Sequence, residues 1–210
     1  MIELHTWKTP NGRKASIMLE EVGLPYEVHP VDFAEKAQFS PDFLAISPNN
    51  KIPAIVDTDG PDGRLAVFES GAILTYLAEK TGRFLAPSGT HRYTALEWMH
   101  WQIGGLGPML GQLGFFARMS KEKVPPAIER FSIEADRLLG VLERRLAASP
   151  YLGGPEYSIA DIAAYPWMNG ATTTMADTLG DSLKDKPATY DWLARVGERP
   201  AVKAGMLVPG

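Results

Sequence analysis

Asn49-Asn50-Lys51-Ile52-Pro53-Ala54-Ile55-Val56-Asp57, followed by Val67-Phe68-Glu69-Ser70, is the stretch on which the fold turns. A proline stands before an alternating, strand-like run. It has no N–H and keeps the residue before it extended. A cis Ile52–Pro53 bond would turn the chain sharply and leave the N–H and C=O of Ile52 facing solvent. Such groups can pair, strand to strand, with the backbone of a short extended peptide. Glu69-Ser70 falls where a strand over 65–68 gives way to a helix over 72–80. Open N–H groups at a helix start attract a carboxylate, and Glu69 can accept from an ammonium. Taken singly, the proline is a loop-to-strand junction and the serine an N-cap. Taken together, the pieces are shaped for a small zwitterionic peptide.

Upstream, residues 2–7 alternate as a strand, and Thr9-Pro10-Asn11-Gly12 is turn chemistry. Ala15, Met18, Leu19 and Val22 recur at helical spacing until Gly23 and Pro25 close the helix. A second strand is expected over 26–33, and Ser40-Pro41 opens a short helix to about Ala45. The strand over 52–57 pairs with that over 65–68 as a hairpin across Asp59-Gly60-Pro61-Asp62-Gly63. The helix between the first two strands implies a parallel pair joined by a crossover, and the hairpin adds an antiparallel edge. Residues 1–83 therefore read as an α/β domain and 84–90 as a linker.

Strand patterns stop after the linker, and residues 91–210 read as an all-helical domain. A helix over 93–103 meets Gly104-Gly105-Leu106-Gly107-Pro108, which should bend or break it. Helical character resumes to about Met119. Pro125-Pro126 opens a long helix with Ile128, Phe131, Ala135, Leu138, Leu142 and Leu146 on one face. Ser158-Ile159-Ala160-Asp161 reads as a capping box before a helix that carries Pro166. Residues 190–196 form a last clear amphipathic helix, and Arg199-Pro200 starts a short one.

The net charge of −4 argues against nucleic acid as a main partner, since a phosphate binder needs a basic face. No apolar run is long enough to cross a bilayer, and the start carries no signal-peptide pattern, so a cytoplasmic protein is expected. The four histidines show no metal-ligand spacing. There is no cysteine, so any thiol chemistry must use a thiol that the ligand brings.

Gly105-Leu106-Gly107 with Gly111 follows a helix and lacks the third glycine of a dinucleotide loop, so that reading is rejected. Trp98, Trp101, Phe115 and Phe116 suit an apolar pocket, a core or a subunit contact. Thr9 and Asn11 lie between a strand end and a helix start, where open α/β sheets bind ligands. A thiol there would feel the positive end of the helix and accept hydrogen bonds from the Thr9 hydroxyl or the Asn11 amide, both of which favour thiolate. Small polar residues also simply build such turns.

Thr9-Pro10-Asn11-Gly12, Ser47 through Ile55, Phe68 through Ile73 and Tyr157 through Asp161 resemble the cytosolic glutathione transferases. With Gln102 through Gln112 and Ala127-Ile128-Glu129-Arg130, they look like the bacterial Nu-class, disulfide-bond oxidoreductase members. The resemblance implies a thioredoxin-like N-terminal domain, an all-α C-terminal domain and a homodimer. It implies glutathione, reduced or oxidised, as co-substrate. Carried over, Ile52 pairs with the cysteinyl backbone and Pro53 is the cis residue. Glu69 and Ser70 hold the γ-glutamyl end, Gln38 and Lys51 approach the glycyl end, and Arg130 is a further anion contact. Thr9 and Asn11 face the sulfur, and Ser158 and Asp161 are structural. The implied activity is glutathione-dependent reduction of small disulfides, with weak peroxidase activity. The alternatives are a conventional transferase conjugating electrophiles and a non-catalytic binding or scaffold protein.

Overall fold

The computed structural model describes residues 1–210. The chain forms two units, one of residues 1–87 and 197–210, the other of residues 88–196. The first is built on a sheet in the order β2-β1-β3-β4, with β1 Ile2–Thr6, β2 Tyr26–Pro30, β3 Ala54–Gly60 and β4 Gly63–Phe68. β1 and β2 run parallel, joined by helix α1, Pro10–Val22. β3 runs antiparallel to β1 and to β4, the hairpin that the turn residues predict. The second strand stops at Pro30 rather than continuing to residue 33.

Strand alternation decides what each face carries. Ile2, Leu4 and Thr6 of β1 are buried on one face, while Glu3 and His5 take the other. Helix α2, Pro41–Ile46, brings Phe43 to a small core with Val31, Ile52 and Ala54, against which Trp7 packs. That cluster holds Ile52 in place. Helix α3, Ser70–Thr81, packs on α1 and buries Ile73, Leu74 and Leu77. It is tied to β3 by buried Asp57, which accepts from Lys80 Nζ at 2.8 Å and Tyr76 Oη at 2.6 Å. Burial pushes the Asp57 carboxyl up, but those hydrogen bonds win and hold it below the ordinary value.

The last helix of the chain, here α10, Pro200–Gly205, packs against α1. Ser16 Oγ donates to Gly205 O at 2.7 Å, and Arg199 grips Glu21 with two bonds of 2.6 and 2.8 Å. Gly205 permits the approach, since a Cβ there would lie 2.5 Å from Ile17 Cα.

On the α2 side of the sheet, His5 stacks on His29 at 4.7 Å between ring centroids, in register across β1 and β2. Burial, then the facing His29, pulls the His5 imidazole below its ordinary pKa of 6.5. The unfolded imidazole therefore takes up its proton at higher pH than the folded one. The stability His5 contributes is whole above pH about 6.5 and is lost as pH falls through the folded value. The urea midpoint should drop between pH about 7.5 and 5, and His5→Gln should shrink that drop. An unchanged drop in the variant would remove His5 from the account.

The second unit is helical: α4 Gly89–Trp101, α5 Gly107–Gly114, α6 Pro125–Ala148, α7 Ile159–Thr172, α8 Ala176–Leu179 and α9 Pro187–Gly197. Of the bend or break expected at Gly104–Pro108, the break does not occur. Residues 102–106 stay helical as a wide π turn that joins α4 to α5, and residues 115–119 form another. A wide turn accommodates Pro108, which has no N–H to give a regular helix. Glycine lets the turn lie close to its neighbours: a Cβ on Gly107 would meet Gln102 Nε2 at 2.7 Å and Trp167 at 3.2 Å. α7 opens on the capping box that Ser158 and Asp161 predict. Its Asp161 is fully buried and accepts from Leu152 N, Ser158 N, Ser158 Oγ and Trp192 Nε1, at 2.9 to 3.1 Å.

Candidate active site

Asn11, Lys51, Ile52, Pro53, Glu69 and Ser70 line one cleft of about 150 Å³ in the first unit. Three junctions supply them: the turn from β1 into α1, the bend before β3 and the turn from β4 into α3. The Ile52–Pro53 bond is cis. The ladder of β3 begins at Ala54, so Ile52 keeps its N–H and C=O outside the sheet's hydrogen bonds.

The start of α3 differs from those of α1, α2 and α7. Thr9, Ser40 and Ser158 each cap their helix with a side-chain oxygen. α3 has no side-chain cap. Ser70, read from sequence as a cap, is instead the first helical residue, and Glu69 occupies the cap position with φ +68°. A non-glycine residue there is strained, and such strain collects where ligands bind. The first N–H groups of α3 are left to attract an anion, and Ser70, buried, lies among them. Glu69 is exposed, and its carboxylate takes a 3.5 Å contact from Asn49 Nδ2.

Behind this seat lies Lys14, from the first turns of α1 and only 1% exposed. Its Nζ approaches Ser70 Oγ at 3.5 Å, the long end of hydrogen bonding. Burial lowers the Lys14 ammonium to about 7, opposed by the charge of Glu69. Neither Lys14 nor Asn49 is a candidate from sequence. A lysine on a helix reads as solvent-facing, and its partner lies 56 residues away.

The other candidates fall elsewhere. Thr9 Oγ1 accepts from Gly12 N at 3.2 Å and caps α1, beside the cleft rather than lining it. Gln38 lies in the short turn Ala37–Phe39, and its buried Oε1 has no protein partner. Arg130 is exposed on α6 of the second unit. The four aromatics divide into separate pairs. Trp98 and Trp101 meet edge to face at 5.1 Å, with Arg145 over Trp98. Phe115 meets Phe116 at 5.1 Å, and Phe116 stacks on Phe131.

A thioredoxin-like sheet unit with a cis-proline peptide edge, followed by a helical unit, defines the glutathione transferase fold. The family model described as glutathione S-transferase, N-terminal domain, matches residues 9–80, and that for the C-terminal domain matches residues 125–199. Among relatives, the disulfide-bond oxidoreductase YfcG of Escherichia coli is 50% identical over 99% of this chain and 95% of its own length. The disulfide-bond oxidoreductase YghU of the same organism is 41% identical over 99% of this chain and 74% of its own. A crystal structure of a glutathione transferase from Pseudomonas putida, with one glutathione disulfide bound per subunit, superposes with a TM-score of 0.94 at 45% identity, covering 100% of this chain and 92% of that one. A family member from Pseudomonas fluorescens with two glutathione bound gives 0.93 at 46%, covering 98% and 92%. The chain belongs to the glutathione transferase family.

Proposed function

We propose that this protein is a glutathione-dependent disulfide-bond reductase. The observation that carries the reading is the meeting of Asn11, Ile52 and Ser70 in one cleft of a chain without cysteine. A glutathione molecule lies with its cysteinyl backbone paired to Ile52. Its γ-glutamyl carboxylate sits on Ser70 and the open N–H groups of α3, and its ammonium faces Glu69. Lys51 and Gln38 take the glycyl end. The sulfur then lies near Asn11, whose amide donates to the thiolate and favours it over the thiol.

The bound thiolate attacks one sulfur of a disulfide. The S–S bond breaks, and the departing thiolate takes a proton from water. A second glutathione thiolate attacks the mixed disulfide at the glutathione sulfur. It releases the other half as a thiol and leaves glutathione disulfide. Two glutathiones are oxidised and one disulfide becomes two thiols. The reading includes weak peroxidase activity, a homodimer and a cytoplasmic location.

Steady-state reduction of a small alkyl disulfide tests it. Asn11→Ala should lower kcat roughly 10–100-fold with KM for glutathione within about threefold, because the lost donor acts on the thiolate. Thr9→Ala should lower kcat less and cost about 1 kcal/mol of stability as a lost cap. Equal losses in kcat and glutathione affinity for Asn11→Ala would remove its role at the sulfur. Turnover of an aryl halide with none of a disulfide would assign conjugation instead.

A further inference from the structure

Ser47 closes α2 and is fully buried, and nothing in the scheme above uses it. Its backbone already makes the turn that follows the helix. The Ser47 N–H donates to Phe43 O at 2.8 Å, and its carbonyl accepts from Asn50 N at 2.9 Å. An alanine would make both of those bonds. The hydroxyl does something else: it donates to Lys51 O at 2.8 Å, in the bend before β3.

The carbonyl of Lys51 shares a peptide group with the N–H of Ile52. That peptide bond is trans. A trans peptide is planar, with its C=O and N–H pointing opposite ways. Ser47 holds the carbonyl from the buried side, so the N–H is aimed the other way, toward the cleft that Lys51 and Ile52 line. This N–H lies outside the sheet's hydrogen bonds. Left alone, the peptide plane could swing about ψ of Lys51 and φ of Ile52, the two soft dihedrals beside it. The Ser47 bond removes that freedom. It also polarises the group: a bond accepted at C=O strengthens the N–H as a donor by roughly 10–30%.

We propose that Ser47 is a positioning residue for glutathione, acting through the Lys51–Ile52 peptide to aim and strengthen the N–H that receives the cysteinyl carbonyl. This rests on the glutathione reading above. Ser47 touches no ligand atom in this scheme, and no covalent bond or proton changes hands. Its hydroxyl, the Lys51 carbonyl, the Ile52 N–H and the cysteinyl carbonyl form one chain of hydrogen-bonded dipoles. Each bond in such a chain gains from the others, so the ligand tightens the Ser47 bond as much as Ser47 tightens the ligand.

Calorimetry with S-methylglutathione, which binds without reacting, tests the proposal. Ser47→Ala should weaken its binding about 5-fold, the worth of one ordinary hydrogen bond. A second ligand carries an (E)-alkene in place of the cysteinyl–glycyl amide and so offers Ile52 no carbonyl. Its affinity should change less than about 1.5-fold in Ser47→Ala, since the bond that Ser47 supports is already missing. Ser47→Thr and Ser47→Val match in shape and differ in the hydroxyl, so any cost of the added methyl cancels. The threonine variant should bind S-methylglutathione about 5-fold more tightly than the valine variant. In the isotope-labelled wild type, S-methylglutathione should move the Lys51 carbonyl carbon and the Ile52 amide proton downfield together. Equal losses for the two ligands, equal affinities of the threonine and valine variants, or an unmoved Lys51 carbonyl would overturn the role of Ser47 and leave the glutathione reading standing. A lowered Tm with intact affinity in Ser47→Ala would likewise make the hydroxyl structural. A wild type that binds no S-methylglutathione would overturn both.

Discussion

Asp161→Ala should cost the second unit about 3–5 kcal/mol, the range for breaking a fully buried polar network by removing its charged member. The two oxygens of this carboxylate receive four donors from three parts of the chain: the Leu152 backbone, the Ser158 backbone and hydroxyl, and the Trp192 indole. Alanine leaves those donors buried, and each unsatisfied group costs about 1–3 kcal/mol before relaxation. Burial pushes the Asp161 carboxyl up, against the pull of its donors. Asp161→Asn should be milder than alanine, since the amide still accepts at one oxygen. Calorimetric melting reads both variants, and a loss under about 1 kcal/mol for alanine would show that the donors find other partners.

Gly12→Ala should reduce glutathione-dependent disulfide reduction about 100-fold and cost about 2–4 kcal/mol. Gly12 is there for closeness rather than for an unusual backbone angle. A Cβ at this position would fall 2.3 Å from Trp7 O and 2.4 Å from Thr6 Oγ1. Backbone must yield to make room, and what yields is the first turn of α1 against the end of β1. That turn carries Thr9, which caps the helix, Asn11, which lines the cleft, and Lys14 behind it. A displacement of the order of 1 Å at a reacting sulfur is enough for a 100-fold loss. Activity within about threefold of wild type would show that the turn absorbs the methyl without moving Asn11.

Much of the framework is legible in the sequence because its determinants are local. The capping box at Ser158 and Asp161, the Asp59–Gly63 turn, and the Ser40-Pro41 helix start each rest on residues within a few positions of one another. The helix start near Glu69-Ser70 is read in the same way, whereas the cis state of Pro53 comes from the family resemblance and not from local residues; together they bring Ile52 and Ser70 to one cleft. What is not legible depends on partners far along the chain. Gly104–Pro108 reads as a bend or a break, and the π turn that carries the helix through it lies close to Leu138 and Trp167, which local residues do not announce. Ser70 reads as a cap because serine usually is one, and the strained Glu69 takes that position only in the folded chain. Lys14 looks like a solvated surface lysine until Ser70 is placed beside it.

The segment that returns after Val196 has a bearing on how the protein is made. Residues 197–210 belong to the same unit as residues 1–87, which makes the helical unit a guest inserted in its host. On the ribosome, residues 1–87 emerge before residues 197–210, so the host lacks its closing piece until the helical guest has been made. Throughout that interval, Ile17, Ser16 and Glu21 present a bare helix face where Gly205, its carbonyl and Arg199 will later sit.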